Sequence, residues 1–154
     1  MSTLPINTGL FFEDFQPGQK GITATRTVTE HDVVAFAGLS GDFNLIHVDA
    51  EFARSTPFGQ RVAHGLLGLS IASGLAVQTG VLGANVMAFR EVGEWKFIKP
   101  VFIGDTVHVE MEIVETKAIP RLGGGLVTMS AALTNQSKET TMKGLWTLLV
   151  KSRG

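Results

Sequence analysis

The longest uninterrupted feature of the chain is a stretch between Arg61 and Arg90 that contains no Asp, Glu, Lys or Arg. Within it, Leu66, Leu67, Leu69, Ile71, Leu75, Ala76 and Val77 place apolar side chains on nearly every side of a helical wheel. The pattern predicts one helix over residues 64–79, buried all round. Gly65, Gly68, Ala72 and Ala76 add a line of small residues at spacings of three and four, along which another backbone can come close. The stretch is long enough to cross a bilayer. Five glycines (65, 68, 74, 80 and 83), polar residues from His64 to Asn85, and the lack of an aromatic belt or flanking basic cluster read instead as a buried helix running into a strand.

After that helix the pattern changes to period two. Residues 84–92, 94–98, 105–116, 124–136 and 140–151 have the alternation and β-branched content of strands. Gly104-Asp105 and Gly123-Gly124-Gly125 read as turns, and Pro100 as a break after Trp95–Ile98. Before the helix, residues 8–30 read as an irregular arm. Phe11, Phe12 and Phe15 are its burying residues, Gly18-Gln19-Lys20-Gly21 a turn and Ile22–Val28 a strand. Thr29 can cap a short helix with Asp32 in its first turn, filled by Val33, Val34, Phe36 and Ala37 and ended by Gly38. Ser40–Arg61 is polar and broken, and a loop that long in a small protein is usually functional. One sheet can hide a helix that is apolar all round only by curling about it. Such a sheet leaves an edge or face for a partner, so a homodimer is expected.

Composition narrows the function. The chain has 154 residues, 44 % hydrophobic and 18 % charged, the balance of a folded core spanning one domain over residues 1–154. It has no cysteine, which excludes disulfides, thiolate metal sites, iron–sulfur clusters and a cysteine nucleophile. The net charge of −1 gives no basic excess for nucleic acid or an anionic membrane. The opening MSTLPINTGLFFEDF has no basic segment followed by an apolar run, so no signal peptide is read and a cytoplasmic location is expected.

Candidate chemistry sits in the polar segment. Asp42 and His47 are five positions apart with Asn44 between them, and a carboxylate with an imidazole can converge on one water. On spacing alone, Asp42 after Gly41 is equally a turn residue. His64-Gly65 stands where the long helix begins, where the first N–H groups lack internal acceptors and a bare N–H suits a thioester oxyanion. Gly65 reads equally as a glycine packed against a strand, and His64 as a structural histidine. A metal reading, His47-Val48-Asp49 with His64 or His108, has the residue types of a 2-His-1-carboxylate site, but belongs to an all-β architecture that the helix opposes. Gly123-Gly124-Gly125 lacks the Gly-Lys-Ser/Thr of a phosphate loop, Asn135-Gln136-Ser137 has no secretory context for glycosylation, and Trp146 reads as core.

The segment Phe36-Ala37-Gly38-Leu39-Ser40-Gly41-Asp42-Phe43-Asn44-Leu45-Ile46-His47 resembles the hydratase motif of MaoC-like dehydratases and (R)-specific enoyl-CoA hydratases. His64-Gly65 and the small-residue helix match as well, and Trp95 to Thr106 is similar to the family's strand–turn–strand. The resemblance covers about residues 10 to 150. It implies an α+β hotdog fold, a curved antiparallel sheet wrapped around one long central helix, assembled as a homodimer or a dimer of dimers. It implies reversible hydration of a trans-2-enoyl-CoA without metal or cofactor. Asp42 and His47 would be the acid/base pair and Gly65 the donor to the thioester carbonyl. Asn44, His64 and Ser73 would be substrate-binding or loop-supporting residues. Many relatives have proline where this chain has Leu45, which bears on the acyl pocket rather than on a reactive atom. Arg61, Arg90, Lys96 and Lys99 are the candidates for CoA phosphates. A hotdog thioesterase and a non-catalytic acyl-binding subunit are the alternatives on the same fold.

Overall fold

A computed structural model describes residues 3–4 and 9–154. In chain order the elements are β1 (Lys20–Ile22), β2 (Arg26–Thr27), α1 (Glu30–Ser40), α2 (Leu45–Val48), α3 (Ala50–Arg54), α4 (Gly65–Gln78), β3 (Val86–Phe97), β4 (Thr106–Ile119), β5 (Gly124–Thr134) and β6 (Thr140–Lys151). The strands form a six-stranded antiparallel sheet ordered β1-β4-β5-β6-β3, with β2 also paired to β4.

Strict alternation builds the inner face of this sheet. Val107, Val109, Met111 and Ile113 of β4 are buried, as are Val127, Met129, Ala131 and Leu133 of β5, and Met142, Trp146, Leu148 and Val150 of β6. Successive strand residues point to opposite faces, so one face of each long strand supplies the core. α4 lays Leu67, Gly68, Ile71, Ala72, Leu75 and Ala76 into that core. Its other side does not close. Leu66 is 61 % exposed and Val77 54 %, with Ser70, Gly74 and Gln78 beside them. The helix is therefore buried on one face, not all round, because a sheet within one chain covers only the side it wraps.

Several local expectations shift for physical reasons. The arm expected over residues 8–30 begins at a residue outside the described set; within it Phe15 is buried, while Phe11 and Phe12 are half-buried. Ile22–Val28 is not one strand but two short pieces, and the proposed turn at Gly18–Gly21 already enters β1 at Lys20. α1 starts as expected, with the Thr29 side chain accepting from the Asp32 N–H in a reciprocal capping box. It runs through Gly38 and stops at Gly41, where φ is 78° and only a residue without a Cβ is unstrained. The two segments expected at 84–92 and 94–98 are one strand, β3, held together across three register shifts against β6, one of them beside Glu94 at φ 51°. Of the three consecutive glycines only Gly123 turns; Gly124 and Gly125 are in β5, where a Cβ on Gly125 would stand 2.3 Å from the Phe12 ring.

The polar segment before α4 is not structureless. Asn44 caps α2 by accepting from the Ile46 N–H at 3.2 Å, and Asp49 caps α3 by accepting from the Phe52 N–H at 2.9 Å. Helices of four and five residues are too short for periodicity to show in a sequence, but their caps are legible. Val62 N–H then donates to Ile46, and Ala63 N–H to Val101. These two bonds stitch the segment to the start of α4 and to the turn after β3.

Candidate active site

The stitching brings three polar side chains together at the head of α4. A carboxylate oxygen of Asp42 and one ring nitrogen each of His47 and His64 lie within 4.8 Å of one another. Asp42 is exposed, whereas His47 is 7 % and His64 2 % exposed. The imidazoles stack, with centroids 3.8 Å apart and planes 28° from parallel. Phe36 of α1 also packs against His64, with ring centroids 5.0 Å apart.

Backbone carbonyls fix the proton on each ring. His47 Nδ1 lies 2.7 Å from the Val62 carbonyl oxygen, and His64 Nε2 lies 2.9 Å from that of Asp42. A carbonyl only accepts, so the facing nitrogen carries the hydrogen. The neutral His47 ring therefore presents a bare lone pair at Nε2, the form a general base requires. On His64 the bare atom is Nδ1, which is buried and has no hydrogen-bond partner. The Asp42 carboxylate is oriented by its own turn: Oδ1 accepts from the Asn44 N–H at 3.2 Å, and the Asp42 N–H donates to Ser40 Oγ.

Gly65 supplies the third chemical element. It is the first residue of α4, and its N–H, like those of any first helical turn, has no acceptor within the helix. Its bare Cα also packs against β3, since a Cβ there would stand 2.7 Å from the Phe97 ring. Close packing and a free donor thus coexist at this residue.

Asp42, His47, His64 and Gly65 share one cavity of about 480 Å³. Its walls are mostly apolar: Ile46, Phe58, Val62, Leu66, Phe97, Ile98, Val101 and Met142 complete the lining with Ala63, Pro100 and Lys99. Apart from Lys99, none of these wall residues carries chemistry, so the sequence holds no chemical signal for them. The nearest hint is Phe58, an aromatic inside a polar run and 40 % exposed.

The remaining sequence candidates lie elsewhere. Asn44 is used in capping α2 and does not line the cavity. Ser73 is two turns along α4, donating its hydroxyl to the Ser70 carbonyl at 2.8 Å, and is not brought to the cavity. Of the four basic candidates only Lys99 lines it, paired with Glu139; Arg61 pairs with Glu30 at 2.7 Å. His108 pairs with Glu110 on the outer side of β4, and Asp49 caps α3, so the metal grouping read around those two does not form. The donor types of a divalent-cation site are met instead by Asp42, His47 and His64. An ion bound about 2.1 Å from a nitrogen sits in that ring's plane. Two rings stacked at 3.8 Å cannot both point at it unless one turns.

Comparison with known proteins decides the relationship. The MaoC like domain matches residues 14–135, a span that holds the Asp42–His47 segment, α4 and five of the six strands, all but β6. The chain belongs to the MaoC-like dehydratase family. It is 34 % identical over 144 residues to the (R)-specific enoyl-CoA hydratase of Rhodospirillum rubrum, covering 94 % of each protein. It is 44 % identical over 101 residues to Protein MaoC of Klebsiella aerogenes, where the match takes in 66 % of this chain and only 30 % of that much longer protein. Among solved structures, a monoamine oxidase regulatory protein from Archaeoglobus superposes with a TM-score of 0.89 at 36 % identity, covering 97 % of this chain and 99 % of that one. A double-hotdog protein of Mycobacterium tuberculosis superposes at 0.82 with 18 % identity, covering 94 % of this chain and 44 % of that one. The fold is the hotdog fold, α+β, with an antiparallel sheet about a long helix. The MaoC-like relatives carry names of hydratases, dehydratases and a regulatory protein, so membership identifies the ancestry of the site and leaves its reaction to the geometry.

Proposed function

We propose that the protein is an enoyl-CoA hydratase/dehydratase that adds water reversibly across the C2–C3 double bond of a trans-2-enoyl-CoA, giving the (R)-3-hydroxyacyl product. The observation that carries this is the meeting, at one end of a largely apolar cavity, of a carboxylate, an imidazole with a bare nitrogen, and a helix-terminal N–H. A conjugated thioester needs all three. Asp42 and His47 hold the water, and one of them takes its proton as oxygen bonds to C3. The electron pair of the double bond moves toward the thioester oxygen, where the Gly65 N–H meets the growing negative charge. The pair then returns a proton to C2, so protons balance over the cycle. The thioester itself acidifies C2, and the reaction calls for no metal or cofactor.

The same reading places a second copy of the chain along β3. That strand ends the sheet, and among the described residues nothing pairs with its outer edge. It exposes Met87, Phe89 and Val92, each more than 40 %. A homodimer, or a dimer of dimers, would cover them; a sedimentation mass of one chain at micromolar concentration would count against it. No helix among the described residues is long and apolar enough to cross a membrane.

Loss of the enoyl-thioester absorbance of crotonyl-CoA tests the reading. Wild type is expected to remove it rapidly, and Asp42→Asn to do so at least a hundredfold more slowly. Release of free CoA from a saturated acyl-CoA, without hydration of crotonyl-CoA, would favour a thioesterase instead.

A further inference from the structure

One wall of the cavity is built by a flexible side chain. Met142 of β6 is 2 % exposed and lines the cavity together with Gly65 and Phe97. Its register partners are Leu133 on β5 and Phe97 on β3, so the three side chains form a row across the sheet beneath the first turns of α4. The helix meets this row with two glycines three positions apart. A Cβ on Gly65 would stand 2.7 Å from the Phe97 ring; one on Gly68 would stand 2.4 Å from Met142 Cε and 3.1 Å from its Sδ. Phe97 is 55 % exposed, whereas Met142, on the same row, is almost fully buried. Beyond Gly68 the row of α4 at spacing four continues with small side chains, Ala72 and Ala76, both fully buried and flanked by buried Ile71 and Leu75. The thioether thus stands where a longer apolar chain would have to pass to run along the helix.

We propose that Met142, seated on the bare backbone of Gly68, sets the length of acyl chain the site accepts and confines it to short-chain 2-enoyl thioesters. The proposal rests on the hydratase reading above. Methionine suits the role because it is unbranched and its terminal atoms shift easily. That ease makes two substitutions act in opposite directions. Met142→Ala removes the stop and opens the space toward Ala72. Gly68→Ala introduces a methyl into the seat of the thioether, which is the free end of a flexible chain and swings into the cavity.

The test compares kcat/KM for crotonyl-CoA and trans-2-octenoyl-CoA, and binding of butyryl-CoA and octanoyl-CoA, in wild type, Met142→Ala, Met142→Val and Gly68→Ala. Thermal unfolding accompanies each variant, and Met142→Val leaves the smaller void should alanine fail to fold. Wild type is expected to favour the four-carbon ligands. Met142→Ala should raise the eight- to four-carbon ratio about tenfold or more, the scale of a methylene-sized change in an apolar pocket. Gly68→Ala should lower it. An unchanged ratio in folded Met142 variants, with crotonyl-CoA still hydrated, overturns the stop and leaves the hydratase reading standing. Absent hydration with a ratio of binding constants that still shifts as described overturns the reaction and supports the stop. Absent hydration and absent binding of every probe overturns both.

Discussion

The polar segment 41–64 and the hairpins of β4, β5 and β6 satisfy their polar groups in opposite ways. In the sheet, backbone pairs with backbone over long registers, and side chains divide into an inner apolar face and an outer polar one. In the segment, side chains hold the backbone: Asp42 to Asn44, Asn44 to Ile46, Asp49 to Phe52 and Thr56 to Phe58. Stability concentrates where hydrogen bonds repeat and apolar faces interlock. Reactive atoms are left over where each bond is bespoke, as at His47 Nε2 and the Gly65 N–H. The two regions should therefore respond to mutation on different axes.

The largest expected effect breaks the chemistry and spares the fold. His47→Ala and Asp42→Asn should each lower kcat/KM for crotonyl-CoA by roughly 10²–10⁴-fold. Their melting temperatures should stay within a few degrees of wild type, and an equally large loss of stability would assign both residues to the scaffold instead. Next comes the reverse experiment. Trp146 is fully buried, stacked on Trp95 at 5.8 Å and edge-on to Phe89 at 5.6 Å. Trp146→Ala should cost about 3–5 kcal/mol in denaturant unfolding, while the fraction that remains folded keeps its turnover. A cost below about 1 kcal/mol would mean that this part of the core collapses around the void.

Between these extremes lies Asn44, whose side chain is structural and whose neighbours are not. Asn44→Ala removes the cap of α2, a change worth about 1 kcal/mol. Because α2 carries His47, kcat should fall several-fold with KM little changed, and Asn44→Asp or Asn44→Ser should restore it. Failure of both capping residues to restore turnover would point to a direct part for the amide.

How far this division could be read beforehand follows the same line. The long strands were legible because one residue in two is apolar, as in Val107-His108-Val109 of β4, and β6 occupies the expected residues 140–151. The meeting of Asp42 with His47 was legible because they share one short segment, and the place of Gly65 because it opens a helix. The cavity wall was not. Phe97 and Met142 meet only through sheet register, and their apolar side chains resemble any core residue until the strands are paired. The exposed side of α4 was misread for a related reason: Leu66 and Val77 are apolar, and one chain alone offers nothing to cover them.

The smallest effect sharpens the comparison by pH. Among the groups held below their ordinary carboxylate range, Asp14 lies away from the cavity, whereas Glu139 adjoins it through Lys99. For Asp14 the cause is chiefly the Phe11 N–H that donates to its carboxylate, opposed by partial burial and aided by Arg153. A depressed carboxyl stabilises the fold above its unfolded value of about 3.9 and loses that contribution as pH falls through the lower folded value. Asp14→Asn should therefore flatten the decline of melting temperature below about pH 4, with little change near neutrality. An acid limb as steep as that of wild type would remove Asp14 from the explanation.

One hydrogen bond gives position 62 an unusual relation to mutation. The acceptor that sets the His47 tautomer is the carbonyl of Val62, and every amino acid carries that carbonyl. Substitution can alter the bulk of the side chain, which lines the cavity, but cannot delete the atom that orients the His47 ring. The wall of this pocket can therefore be recut without changing which nitrogen of His47 carries the hydrogen, so long as the backbone between His47 and His64 keeps its course.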